Sequence, residues 1–174
     1  VKRMLLDMTA RGELQRALSL RISSWLDLSE ASTDPGRTES FRQLAELVLP
    51  IAKTLGAEWG FEVASQGIQV LGGYGYTNDY PLERLTRDIR VASVYEGTSG
   101  IQALDFVKRK ILGDEQQTMQ HLLSLIRADL AASSADNPLH TPLIDILATV
   151  EGSLAYLLEQ PESATPGAYP LLQL

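Results

Sequence analysis

The sequence predicts an all-α fold, a helical bundle of about five or six helices. Apolar residues recur every three or four positions through most of the 174 residues, which is the spacing of one helix face. Glycine and proline fall between these periodic segments, where helices usually end. Apolar residues make up 44 % of the chain and charged residues 21 %, a composition typical of a globular protein.

Charge and composition exclude several function classes. The net charge of −7 disfavours nucleic acid as a partner, because a phosphate backbone repels an acidic chain. The chain has no cysteine, which excludes a disulfide scaffold, a thiolate metal site and a cysteine nucleophile. Two histidines, His121 and His140, have no further ligand at metal-binding spacing, so no metal site is expected. No apolar run approaches the ~20 residues that span a bilayer, so no membrane span is expected.

The first half of the chain predicts two long helices separated by a polar loop. The loop covers residues 29–40, because Asp34-Pro35-Gly36 is a turn signal. In the second helix Pro50 predicts a kink or a break, since proline removes a hydrogen bond inside a helix. Residues 67–71 alternate as a strand would, but they continue a strong helical period, so helix is preferred. The first helix is marked by apolar residues four apart: Leu14, Leu18, Ile22 and Leu26.

The second half predicts shorter helices and two glycine-containing breaks. A loop rich in glycine and tyrosine covers residues 72–81, and a turn at Glu96-Gly97 separates helices over 82–94 and 100–112. Ser99 and Gln102 have the spacing of a capping box, which would start the latter helix. Further helices are expected over 118–132 and 143–158. The tail from Glu162 is rich in proline, glycine, serine and threonine, so it is expected to be loosely held.

Glu96 is the first candidate for chemistry, as a carboxylate on a turn between helices. A turn glutamate is most often solvated. Here Val94 and Tyr95 precede it, and an apolar surface would strengthen the carboxylate as a base. Gly97 follows with no side chain to block a substrate. The start of the next helix opposes the apolar effect by favouring the ionised form, and the sequence leaves open which effect is larger.

The glycine-rich segment Gly72-Gly73-Tyr74-Gly75-Tyr76 is the second candidate. Its glycines would let a cofactor approach the backbone closely. The segment is not G-x-G-x-x-G and does not follow a clear strand, so a tight turn between helices explains it equally well. Gln69, one turn earlier, could offer its amide to a ligand or lie on a helix surface.

Four blocks, in this order and spacing, resemble the C-terminal helical domain of the acyl-CoA dehydrogenases. Residues 3–6, 16–18, 49–53 and 100–105 also resemble the longer bacterial members, which carry an extra helical segment. The resemblance therefore predicts an N-terminally truncated family domain over residues 1–112 and the additional segment over 113–174. The four blocks are Gln69-Val70-Leu71-Gly72-Gly73-Tyr74-Gly75-Tyr76, Tyr80-Pro81-Leu82-Glu83-Arg84, Arg87-Asp88-Ile89-Arg90 and Val94-Tyr95-Glu96-Gly97-Thr98-Ser99-Gly100-Ile101-Gln102.

The resemblance implies an FAD-dependent oxidation of an acyl-CoA to the trans-2-enoyl-CoA. Glu96 occupies the position of the glutamate that takes the α-proton while a hydride leaves Cβ for the flavin. Gly97 would lie against the thioester. The residues implied to contact FAD at the start of the next helix are Thr98, Ser99 and Gly100.

The resemblance also implies an assembly and an electron acceptor. Five residues would reach the FAD of a neighbouring subunit, which implies a homo-oligomer. The implied acceptor is similar to electron-transfer flavoprotein, and the implied location is the bacterial cytoplasm. The five residues are Gln69, Val70, Leu71, Gly72 and Gly73.

The sequence also departs from the family in ways that keep other functions open. The N-terminal helical domain and the middle β domain that complete the flavin and acyl pockets are not among these residues. The chain is therefore expected to be a fragment that neither binds FAD well nor turns over substrate alone. One alternative is an acyl-CoA oxidase, which passes electrons to oxygen. Another is a helical bundle kept for self-association, with the catalytic turn unused.

Overall fold

The predicted all-α fold is confirmed by the computed structural model of the chain, which describes residues 1–114, 116–134 and 136–173. Within those ranges the chain forms helices and turns and contains no strand. Short 3-10 turns occupy Gly72–Tyr76, Val91–Ser93, Leu112–Asp114 and Pro161–Ser163, and a π-helical segment occupies Asp105–Ile111. The α-helices in the described ranges are α1 (Lys2–Ala31), α2 (Pro35–Leu71), α3 (Leu82–Arg90), α4 (Ser99–Leu104), α5 (Gln117–Ala132), α6 (His140–Glu159) and α7 (Ala164–Gln173).

Helix α2 begins earlier than the sequence predicts. The side chain of Asp34 accepts a hydrogen bond from the Gly36 N–H at 2.9 Å, and Pro35 occupies the first helical position. Aspartate before a helix and proline at its start both favour helix initiation. The turn signal Asp34-Pro35-Gly36 therefore starts a helix, and the predicted polar loop of residues 29–40 is wrong over most of its length.

Helix α2 also continues through Pro50, so the predicted break does not occur. Its 37 residues run from Pro35 to Leu71, and Pro50 is buried within the packed helices. Tertiary packing on both sides of the proline offsets the one missing hydrogen bond. Residues 67–71 are helical, as preferred from the sequence.

Helices α1 and α2 lie antiparallel. Their contacts run in opposite directions along the two helices: Gln66 donates to Asp7 at 2.7 Å, and Gln15 donates to the Ala52 carbonyl at 3.0 Å. Nearer the connection between them, Trp25 packs against the buried residues of α2. This pairing gives the long helix α2 a fixed support along one side.

Helix α3 packs closely on α2 because glycines of α2 face it. A Cβ at Gly60 would lie 2.9 Å from Cγ1 of Ile89, and a Cβ at Gly67 would lie 3.1 Å from Leu82. Those distances leave no room for a larger residue without a shift of its neighbour. The chain that leaves α3 is thereby held against α2.

One core cluster joins helices that lie before residue 112 to helices that lie after it. Leu47 of α2 lies in one cluster with Phe106, with Leu154 of α6, and with Ala168 and Leu172 of α7. The loosely held tail predicted from Glu162 is therefore wrong. The apolar positions of α7 fall on one helical face and are buried: Ala164, Ala168, Leu171 and Leu172. The division of the chain at residue 112 into two domains stays a prediction.

Helix α6 is the one helix, among the residues described, that is long and apolar enough to cross a membrane. A core helix of a water-soluble protein meets the same test of length and composition. Only 17 % of its most apolar window is buried inside this chain. The helix has 20 residues but includes Asp145 and Glu151, so it is not an uninterrupted apolar run, and its length and composition do not identify a membrane span.

Candidate functional site

The turn at residues 94–98 connects the end of α3 to α4 and has an unusual backbone. Glu96 has φ of 54° and Gly97 has φ of 88°, so two successive residues are left-handed. Glycine adopts such angles freely, but for a residue with a side chain they cost roughly 1–2 kcal/mol. A glutamate persists there only where surrounding contacts hold the turn.

One carboxylate of α2 holds both ends of this turn. Glu58 accepts a hydrogen bond from the Ser99 hydroxyl at 2.6 Å and forms an ion pair with Arg90 at 3.6 Å. Tyr169 of α7 comes near the same group: burial first, and then the negative charges of Glu58 and Glu62, raise the pKa of its phenol. Glu58 therefore attaches the chain to α2 on both sides of the turn, at Arg90 before it and at Ser99 after it.

The middle of the turn is held at its carbonyl oxygens. The Lys53 ammonium of α2 donates to the Gly97 carbonyl, and the Gln102 amide donates to the Glu96 carbonyl at 2.9 Å. Thr98 caps α4, since its hydroxyl accepts from the Ile101 N–H at 3.3 Å. The predicted capping box of Ser99 with Gln102 is therefore wrong, because the capping residue is one position earlier and Gln102 binds the turn.

A cleft of about 440 Å³ opens beside the turn. Two ion pairs line it, Glu46 with Lys110 at 2.7 Å and Asp105 with Arg109 at 2.6 Å. The hydrogen bond from Lys110 lowers the pKa of Glu46, an effect that burial partly opposes. The cleft is lined by Glu46, Leu49, Pro50, Glu96, Gly97, Ile101, Gln102, Asp105, Arg109 and Lys110.

Glu96 is exposed and lines this cleft. The two apolar residues expected to keep it dry, Val94 and Tyr95, are themselves 60 % and 50 % exposed. The apolar surface predicted around Glu96 is thus present but faces outward in this chain. It would exclude water from the carboxylate only when another surface covers it.

The three residues after Gly97 differ in how accessible they are. Thr98 and Gly100 are exposed, and Ser99 is buried. Because the Ser99 hydroxyl is bound to Glu58 at 2.6 Å, its side chain holds the start of α4. A flavin approaching this turn would therefore meet Thr98 and Gly100 first.

The glycine–tyrosine loop (residues 72–81) follows the C-terminal end of α2, away from the part of α2 that contacts the turn. Gln69 follows Lys53 by 16 residues of α2, which is roughly 24 Å at 1.5 Å per residue. The structure therefore does not gather residues 69–73 and 98–100 into one cluster within this chain. At Gly72 and Gly73 nothing lies within 4 Å of where a Cβ would be, so the backbone there is open to a group from outside. These open positions fit the approach of a flavin.

Residues that hold the turn were not identified from the sequence. Lys53 and Glu58 lie within the apolar pattern of α2, and Gln102 was assigned to a cap. One feature of the sequence could have identified Lys53 and Glu58: they are charged residues among the buried positions of α2, where an unpaired charge is costly. No three His, Asp or Glu side chains in the described ranges are grouped as metal ligands would be.

Comparison with known proteins gives consistent results along the chain. A family profile described as Acyl-CoA dehydrogenase, C-terminal domain, matches residues 1–112. The 3-methylmercaptopropionyl-CoA dehydrogenase of Ruegeria pomeroyi is 35 % identical, over all of this chain and 31 % of that protein. The broad-specificity linear acyl-CoA dehydrogenase FadE5 of Mycobacterium tuberculosis is 33 % identical, over 90 % of this chain and 26 % of that protein. A butyryl-CoA dehydrogenase of Syntrophomonas wolfei is 34 % identical, over 78 % of this chain and 22 % of that protein.

The chain thus spans about a third or less of the length of these curated relatives. The alignment with the Ruegeria protein continues beyond residue 112 to cover the whole chain. The helical architecture and the match over residues 1–112 agree. The chain belongs to the acyl-CoA dehydrogenase family, in the part that forms the family's C-terminal domain.

Proposed function

We propose that this chain supplies the catalytic base of an FAD-dependent acyl-CoA dehydrogenase. Glu96 would take the α-proton of an acyl-CoA, giving the trans-2-enoyl-CoA. When bound, the flavin supplies the acceptor for the hydride that leaves Cβ. The observation that carries the proposal is the position of Glu96, exposed on the wall of a cleft in a turn that is bound at both ends and at its middle.

The chemistry of the substrate supports a carboxylate in this role. The C–H bond next to a thioester carbonyl is weakly acidic, so a base must be aligned with it and kept partly dry. Val94 and Tyr95 present an apolar surface beside Glu96. The acyl group and the covering surface would complete the exclusion of water that this chain begins. Gly97 adds no side chain against the thioester.

The cofactor residues divide into two groups. Thr98 and Gly100 would contact the FAD served by Glu96, while Ser99 would position them from behind. The residues at the end of α2 and the start of the glycine–tyrosine loop would contact the FAD of a neighbouring subunit, which makes the active protein a homo-oligomer. The first group lies beside Lys53 of α2 and the second begins at Gln69, 16 residues further along the helix, and this separation supports two different flavins. The second group comprises Gln69, Val70, Leu71, Gly72 and Gly73.

The names of the relatives support an acyl-CoA as the substrate class. One relative is named for 3-methylmercaptopropionyl-CoA, one for linear acyl-CoA and one for butyryl-CoA. The proposed reaction removes two hydrogens from such a thioester and passes the electrons to an acceptor similar to electron-transfer flavoprotein. Its proposed location is the bacterial cytoplasm.

The test of the base is Glu96→Gln in the complete protein that contains this chain. Acyl-CoA is added without oxygen, and bleaching of the flavin absorbance is followed in time. The amide cannot accept the proton, so the rate of bleaching is expected to fall about 10³-fold, within the range for loss of a general base. The matched control is Glu13→Gln, since Glu13 is exposed on α1 and its variant is expected to bleach at the normal rate.

Unchanged bleaching in Glu96→Gln would contradict the proposed base. Rapid oxygen consumption by the reduced protein, with no transfer to electron-transfer flavoprotein, would instead identify an acyl-CoA oxidase. A complete protein that binds FAD but is not bleached by any acyl-CoA would support the helical bundle kept for self-association.

A further inference from the structure

Lys53 makes a contact that the resemblance does not explain. Its side chain leaves the middle of α2 half-buried and donates to the carbonyl oxygen of Gly97. Among the ion pairs of the described residues, none includes Lys53. Its charge is directed at a peptide group 44 residues further along the chain.

The peptide group that Lys53 binds belongs to the left-handed part of the turn. Glu96 and Gly97 are both left-handed, and the residue with a side chain pays a steric penalty for that conformation. The two adjacent carbonyls are bound by groups from different helices: Gln102 of α4 holds the first at 2.9 Å, and Lys53 of α2 holds the second. Together they fix the direction of both peptide planes.

The neighbouring charges leave this task to Lys53. The cleft beside the turn contains four other charged residues besides Glu96, and all four form ion pairs with one another. Glu58 is bound to Arg90 and Ser99 at the ends of the turn. In the described part of the chain, the hydrogen bond from Lys53 is the one that ties the middle of the turn to α2.

We infer that Lys53 is a positioning residue, which holds the Gly97 carbonyl so that Glu96 keeps its left-handed conformation on the wall of the cleft. The consequence for catalysis rests on the proposed function of Glu96. The consequence for the turn itself does not, so the two can be tested separately.

The first experiment measures the turn directly in the 174-residue chain. Hydrogen–deuterium exchange is followed in peptides that cover residues 94–102, in the native chain and in Lys53→Met. Loss of one charged hydrogen bond is expected to raise exchange there about tenfold, with exchange in α1 unchanged. Lys53→Arg keeps a donor and is expected to restore most of the protection. Lys108→Met, at an exposed lysine, is the matched control and is expected to change nothing.

The second experiment measures catalysis in the complete protein. Lys53→Met is expected to lower kcat at least tenfold with KM for the acyl-CoA changed less than twofold, because the base is misplaced while the acyl pocket is intact. Lys53→Arg is expected to recover most of kcat, and Lys108→Met all of it. A variant that only weakened folding would lower the concentration of active sites, which titration with FAD measures.

Each outcome decides one of the two claims. If exchange over residues 94–102 is the same in Lys53→Met and Lys108→Met, Lys53 does not hold the turn and the inference is overturned. If exchange rises but kcat is unchanged, the role in placing the base is overturned. If the native complete protein is inactive with acyl-CoA, the proposed function fails, while the exchange result still decides whether Lys53 holds the turn.

Discussion

The two glycine-containing breaks in the helical bundle differ in what holds them. The turn at residues 94–98 is bound by side chains from α2 and α4, at Lys53, Glu58 and Gln102. The glycine–tyrosine loop is bound mostly by its own residues, as when Thr77 donates to the Tyr74 carbonyl at 2.7 Å. Its tyrosines extend outward, with Tyr74 71 % and Tyr76 78 % exposed.

Under the proposed function, this difference corresponds to two kinds of preparation for a ligand. A turn that carries a base must keep a particular geometry, and side chains from two helices supply it within this chain. A surface that meets another subunit or its cofactor gains its geometry on contact, so exposed aromatic side chains on a short anchored loop suffice. The predictions that follow test where each break is anchored, from the largest expected effect to the smallest.

The glycine–tyrosine loop packs tightly against α2 at Gly75. A Cβ there would lie 2.7 Å from the carbonyl oxygen of Ile68 and 2.9 Å from its Cα. Since backbone atoms of α2 cannot move aside, Gly75→Ala is expected to lower the free energy of unfolding by about 3 kcal/mol. Urea denaturation of the chain measures this. Gly73→Ala is the matched control, because nothing lies within 4 Å of its Cβ position, and an equal loss in both variants would contradict the anchor.

Glu58 contacts the chain on both sides of the turn, at Arg90 and at Ser99. Glu58→Ala would leave the buried Ser99 hydroxyl without its acceptor, and this is expected to cost about 1.5 kcal/mol of unfolding free energy. Glu13→Ala removes an exposed carboxylate that pairs with Arg16 at 3.7 Å, so it is expected to cost less than about 0.5 kcal/mol. Thermal unfolding of both variants compares them. Equal midpoints would show that Glu58 does not anchor the turn.

The exposed tip of the glycine–tyrosine loop is expected to contribute almost nothing to the stability of this chain. Tyr76→Ser removes an aromatic side chain that is 78 % exposed, and the expected change in unfolding free energy is within about 0.5 kcal/mol. The same denaturation experiment checks it. A loss above about 1 kcal/mol would mean that the tip of the loop is also held by side chains within the chain, as the turn is, and the contrast between the two breaks would disappear.

Most of the helical architecture followed from apolar periodicity, because burial of one helix face is the main source of helix stability. The predicted loop over residues 29–40, the predicted break at Pro50 and the predicted loosely held tail were wrong, because proline and glycine in these segments lie within helices. Pro50 lies within a helix supported on both sides, and the tail after residue 161 forms α7 through small apolar residues such as Ala164 and Ala168. Alanine four residues apart is a weak signal in a segment that also contains proline.

The site divides in the same way between what the sequence shows and what it does not. Glu96 was identified because a carboxylate beside glycine, within a recognisable pattern, is a local feature. Lys53 and Glu58 support it from 43 and 38 positions earlier in the numbering. Which charged side chain of a long helix faces a distant turn depends on how the helices pack, and a single sequence does not contain that information directly.

The core that joins Phe106 to Ala168 and Leu172 has a consequence for where the packed unit of this chain ends. The family profile stops at residue 112, yet one core cluster contains residues from both sides of that position. The family match and the packed core therefore have different limits in this chain. The helices beyond residue 112 complete the apolar interior against which Leu47 and Phe106 pack.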